Sequence, residues 1–121
     1  MPQYMLILRS DVTVDYSQFT PADFEKILGE FMAWGERVAA TGNLVLGHKL
    51  TDQGGKVIWP QGQKTTVKDG PYVESKEVVG GYYIVTADDY AHALRLCEGH
   101  PNLRFGSIEV REVDPVGEPE A

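Results

Sequence analysis

The order of apolar and polar positions divides the chain into short strands and two amphipathic helices. Tyr4 to Leu8 is continuously apolar, the pattern of a strand covered on both faces, and its brevity argues against a buried helix. Thr20, Pro21 and Asp23 supply a hydroxyl cap, a proline where a missing N–H costs nothing and a first-turn acid, so a helix is predicted from Pro21. Phe24, Ile27, Leu28, Phe31, Trp34, Gly35 and Val38 recur at helical spacing as its apolar stripe, and Thr41-Gly42 ends it.

Leu44, Leu46, His48 and Leu50 alternate with Val45, Gly47 and Lys49, which predicts a strand with His48 on the leucine face. Lys56 to Trp59 and Thr65 to Val67, separated by a polar turn, read as a hairpin. Val79 to Val85 reads as a central strand, with Gly80-Gly81 marking a bulge or the close approach of another backbone or a ligand. Thr86 is the expected cap of a second helix, with Tyr90, Ala93, Leu94 and Cys97 on its inner face and Gly99 and Pro101 at its end. Ile108 and Val110 alternate with Ser107, Glu109 and Arg111 in a last strand, and Asp114 to Ala121 is an acidic tail expected to be disordered.

This succession predicts an α+β fold of the ferredoxin-like βαββαβ kind, one domain over residues 1–113 with two helices on one face of an antiparallel sheet. The other face would present apolar and aromatic side chains to water. A second copy packing sheet against sheet is its expected cover, giving a homodimer.

Composition narrows the function classes. The 121 residues suit one core, and 42% apolar with 24% charged residues is ordinary for a globular chain. A net charge of −7 repels polyanions, so neither nucleic acid nor an acidic membrane is an expected partner. No run approaches the ~20 apolar residues of a membrane span. The N-terminal apolar run is too short for a secretory signal and the lone Cys97 excludes an internal disulfide, so a cytoplasmic location is expected.

Among residues that could carry chemistry, His48 is the best candidate general base, although a satisfied core or interface histidine fits its position equally well. In Asp69-Gly70-Pro71 the carboxylate either fixes a turn through backbone N–H groups or serves as an acid or base. Glu74 and Lys76 would share a face of an extended segment, as a salt bridge or as contacts to a bound anion. Trp34, Trp59, Tyr72, Tyr82 and Tyr83 read first as core or interface, yet one or two of them at a cleft mouth could stack on an aromatic ligand. His92 and His100 do not pair with His48 at metal-ligand spacing, and no metal or other cofactor is expected. Cys97 reads as a small hydrophobe, and the chain has neither a Gly-rich phosphate loop nor a nucleophile elbow.

The stretch TVKDGPYVESKEVVGGYYIVTADDYAHAL, followed by GSIEVREV, resembles the DGPF-motif branch of the YCII-related family, with Tyr72 where a phenylalanine usually stands. The similarity runs from YMLIL through MAWGERVAATGNLVLGHKL to the last strand. What the resemblance implies is a ferredoxin-like domain in a dimer related to the dimeric α/β barrels, with a cleft lined by the signature segment. Some members resemble small acid–base enzymes built on a histidine and an aspartate, one being a dehydrochlorinase. Others resemble accessory domains found beside sigma factors. The first helix here contains no histidine, so that dyad does not transfer.

Two functions follow as expectations. One is a cofactor-independent enzyme of lyase or hydrolase type acting on a small molecule near a dimer interface, with His48 and Asp69 as the acid–base candidates. The alternative is a non-catalytic module that binds a small ligand or a transcription factor. A cofactor-free oxygenase rests on fold analogy alone.

Overall fold

A computed structural model describes residues 1–11, 17–51, 55–70 and 77–116. In chain order these form β1 (Gln3–Asp11), α1 (Pro21–Ala40), β2 (Leu44–Lys49), β3 (Lys56–Gln61), β4 (Lys64–Asp69), β5 (Glu77–Thr86), α2 (Tyr90–Cys97) and β6 (Gly106–Glu112). A 3-10 turn, Pro101–Arg104, links α2 to β6. Four strands make an antiparallel sheet in the order β2-β5-β1-β6, and β3-β4 is a separate hairpin between β2 and β5 in sequence. Without that hairpin the order is ferredoxin-like: each strand-helix-strand unit skips one position, which a strand of the other unit fills.

Local chemistry explains the helix starts. Thr20 Oγ1 accepts from the Asp23 backbone at 3.1 Å, while Asp23 Oδ2 accepts from the Thr20 backbone at 2.8 Å. That reciprocal pair satisfies two otherwise orphaned donors and holds the Asp23 carboxyl below its usual range. The expected start at Pro21 is therefore found. The second helix differs from expectation: Asp89, not Thr86, is its cap, accepting from His92 N at 2.8 Å. Thr86 instead extends β5, where its N–H donates to Asn43 O at 2.8 Å.

The core lies between the sheet and both helices. Tyr4, Leu6 and Val85 from the sheet meet Trp34 and Val38 of α1 and Ala93 and Cys97 of α2. Trp34 Nε1 donates to Leu96 O at 3.0 Å, tying one helix to the other inside that layer. The inward line of α1 is narrower than the predicted stripe: Trp34 and Val38 are buried and Ile27 and Phe31 half-buried, while Phe24 and Leu28 are exposed. Tyr90 and Leu94 of α2 are exposed likewise, although the Tyr90 ring packs edge-on against Tyr4 at 4.9 Å.

Two register shifts shape the four-stranded sheet. One lies between Leu8 and Arg9, opposite Gly80, where the glycine pair suggested a bulge. Gly81 fills the other half of that expectation, since a Cβ there would sit 2.9 Å from the His48 carbonyl oxygen. The second shift lies between Leu44 and Leu46, and it overturns the simple alternation expected of β2. Leu44 packs against the core, whereas Leu46 and His48 turn to the sheet face that the helices leave open.

Candidate functional site

Register arranges the open face in cross-strand rows. Leu46, Ile84, Met5 and Arg111 form one row, His48, Tyr82, Ile7 and Glu109 the next, and Val79, Arg9 and Ser107 a third. Neighbouring strands lie about 4.8 Å apart, so the middle row spans about 14 Å from β2 to β6. Met5, Ile7 and Ile84 are half-buried, and Leu46 and Val79 are 39% and 40% exposed. A contiguous apolar floor of this kind, rimmed by polar groups, is a surface that binding would cover.

At the β2 edge, His48 Nδ1 and the Tyr82 hydroxyl share a hydrogen bond of 3.0 Å, with the rings 5.6 Å apart. A phenol hydroxyl donates and accepts, so it serves either neutral tautomer of the imidazole. With Nδ1 engaged, Nε2 is a lone pair when Nδ1–H donates to Tyr82, and an N–H when Tyr82 donates. A group so held can take a proton and return it.

At the opposite edge, Arg9 grips Glu109 Oε1 through Nε at 3.0 Å and through its terminal nitrogen at 2.9 Å. Arg111 adds a longer bond of 3.3 Å to Oε2. Hydrogen bonds from Arg9 and then Arg111 hold the Glu109 carboxyl below its usual range. These three residues were not singled out in the sequence. Their one signal was the Ser107, Glu109, Arg111 alternation, which reads equally well as a solvated strand face.

The YCII-related domain matches this chain over residues 5–116. The chain belongs to the YCII-related family. No curated protein matches the YCII-related chain. Among solved structures it is similar to a 5-chloro-2-hydroxyhydroquinone dehydrochlorinase from Burkholderia phenoliruptrix AC1100 in complex with 2,5-dihydroxybenzoquinone, at 14% identity over 93% of each chain with a TM-score of 0.48.

In this YCII-related chain the predicted site residues fall into three groups. His48 and Tyr82 are in contact on the open face. Asp69 ends β4, exposed and ion-paired with Lys56 across the β3-β4 hairpin. Trp59 is half-buried on the same hairpin. Tyr72, Glu74 and Lys76 lie outside the described residues, as does the tail beyond Val116. No hydrogen bond joins His48 to Asp69 among the described residues; each has its own partner.

The remaining unusual groups are structural. His100 is buried at 2% exposure, and its Nδ1 accepts from Asn102 N at 3.0 Å. That leaves the proton on Nε2, which donates to the Tyr83 hydroxyl at 3.1 Å. Asn102 Nδ2 donates in turn to Arg9 O and Ser107 O, fastening the turn to β1 and β6. Cys97 packs in the core as expected, and burial pushes its thiol up to about 11. No group of metal-ligating side chains gathers among the described residues, and no described helix is long and apolar enough to cross a membrane.

Proposed function

We propose that this YCII-related chain is a cofactor-independent acid–base enzyme of lyase or hydrolase type. Its small-molecule substrate lies on the open sheet face, and a second copy closes the site. The observation that carries the reading is the His48–Tyr82 hydrogen bond on an apolar floor, because it leaves Nε2 as a proton-transferring atom at the edge of a coverable surface. His48 is the base. Asp69 is the second acid–base candidate, and it must part from Lys56 before it can meet a substrate held at His48.

The Asp69-Gly70-Pro71-Tyr72 sequence and the adjoining Glu74, Ser75, Lys76 and Glu77 place the chain, on this reading, in the DGPF-motif branch of its family. On the same reading Tyr72, Glu74 and Lys76 of the signature bind the substrate together with Tyr82 and Trp59.

Thermal unfolding against a library of small carboxylates, phenols and amines tests this, with proton NMR of each hit for exchange or elimination. A ligand at ~100 times its dissociation constant adds about 2.7 kcal/mol of stability. The expected result is a hit that the protein turns over, with turnover abolished in His48→Gln. Binding without turnover overturns the assignment and favours a ligand-binding module, and turnover that survives the substitution removes His48 as the base.

A further inference from the structure

Two guanidinium groups meet one carboxylate at the β1/β6 side of the open face. Arg9 spends its Nε and one terminal nitrogen on Glu109 Oε1 and is buried enough for its side chain to be only 30% exposed. Arg111 is 70% exposed and holds Glu109 through one nitrogen at 3.3 Å, so most of its planar fork is free for a second acceptor. The Glu109 carboxylate is already ionised and doubly engaged, which leaves the cluster one positive charge in surplus within a chain of net charge −7. A surplus cation beside an apolar floor offers an anion a local attraction that the acidic chain as a whole does not.

The row geometry sets the size of what would fit. His48 on β2 is three strand spacings from β6, which carries Glu109 and Arg111, about 14 Å between backbones, with Tyr82 and Ile7 between them and Met5 and Ile84 alongside. The imidazole at one end and the long, exposed arginine side chain at the other can take up part of that gap. The space between them suits a body about one six-membered ring wide, apolar on the side that meets Ile7, with a charge at one end and the reacting atoms at the other.

We propose that Arg111, backed by the Arg9–Glu109 pair, forms an anion subsite, and that the substrate class is the small monocarboxylate with an apolar or ring-shaped body. This rests on the acid–base reading of the same face. The carboxylate lies against Arg111 and the reacting carbon or hydroxyl lies at His48 Nε2. Glu109 tempers the subsite: it shares the guanidinium donors with the ligand and so sets how tightly an anion is held.

The probes are 4-hydroxybenzoate and 4-hydroxybenzamide, which share a ring and differ in charge, titrated into nitrogen-15-labelled full-length protein. The expected result is that the acid moves the backbone signals of Ile7, Arg9, Glu109 and Arg111 and binds at least about tenfold more tightly than the amide. Arg111→Gln should weaken the acid by about three- to tenfold, and Glu109→Gln should tighten it, with the amide unmoved by either. Equal binding of acid and amide, an acid response indifferent to Arg111, or no binding of the acid at all overturns the subsite. Failure of the acid–base reading looks different: the acid binds as predicted, yet turnover of a hit from the ligand library is indifferent to His48→Gln.

Discussion

The two histidines that matter differ in their neighbours. His48 stands in water with one phenol partner, whereas His100 is enclosed by Trp34 and Phe31, whose ring centroids each lie 4.8 Å away. Burial, with Arg37 nearby, brings His100 down from an ordinary 6.5 to about 4. Between those values the unfolded chain binds a proton that the folded chain refuses, so stability falls as pH drops from about 6.5 to about 4. The ceiling on the loss is roughly 3 kcal/mol. Urea denaturation at pH 7 and pH 4.5 should show it, and His100→Gln, though less stable at pH 7, should lose less between the two. Of the candidate site, the His48 and Tyr82 that meet on the open face were legible as candidates because a histidine in an alternating strand and a tyrosine after a glycine pair are visible locally. Arg9, Glu109 and Arg111 were not, because their meeting depends on how β1 and β6 pair, and strand register is not a local property.

Among the elements, those with self-contained signals were legible and those set by pairing were not. The α1 capping box is complete within four residues, Thr20 to Asp23, and it formed as the sequence implied. The shift at Leu44 to Leu46 was hidden, because a regular alternation of leucines says nothing about an extra residue that the partner strand imposes. The 3-10 turn was hidden too, since Gly99 and Pro101 mark only the end of a helix; its hold comes from the distant Arg9 carbonyl. Gly106 shows how tightly this corner is built. A Cβ there would lie 2.0 Å from Arg9 O and 2.7 Å from the Ser10 Cα, both backbone atoms that cannot swing aside. Gly106→Ala must therefore pry β6 from β1 beside the Arg9–Glu109 pair, and a loss of about 2–4 kcal/mol is expected in chemical denaturation. Gly80→Ala, where nothing lies within 4 Å, is the control and should cost under about 1 kcal/mol.

For the whole molecule, the question is what lies over the open face. Four strands about 4.8 Å apart and six residues deep give a footprint on the order of 400 Å² per copy, small beside the ~800 Å² per partner of a standard stable interface. The β3-β4 hairpin can make up the difference. A two-stranded hairpin is marginal in water by itself, and this one holds its cross-strand pair Ile58 and Val67 out at 65% and 60% exposure. Sheet-to-sheet packing with the hairpin reaching over the partner would cover both surfaces and close a cleft above Ile7. Light scattering should then give twice the 13.4 kDa chain mass at micromolar concentration. Ile7→Lys puts a charge at the centre of the middle row without touching the helix-side core, so it should give a folded monomer with unchanged far-ultraviolet dichroism. Ile58→Lys should raise the dimer dissociation constant by about tenfold or more while leaving each chain folded, since a desolvated aliphatic contact is worth about 1–2 kcal/mol. A wild-type mass of one chain would leave the apolar floor open to water, and the site would then have to work as a groove rather than a closed cleft.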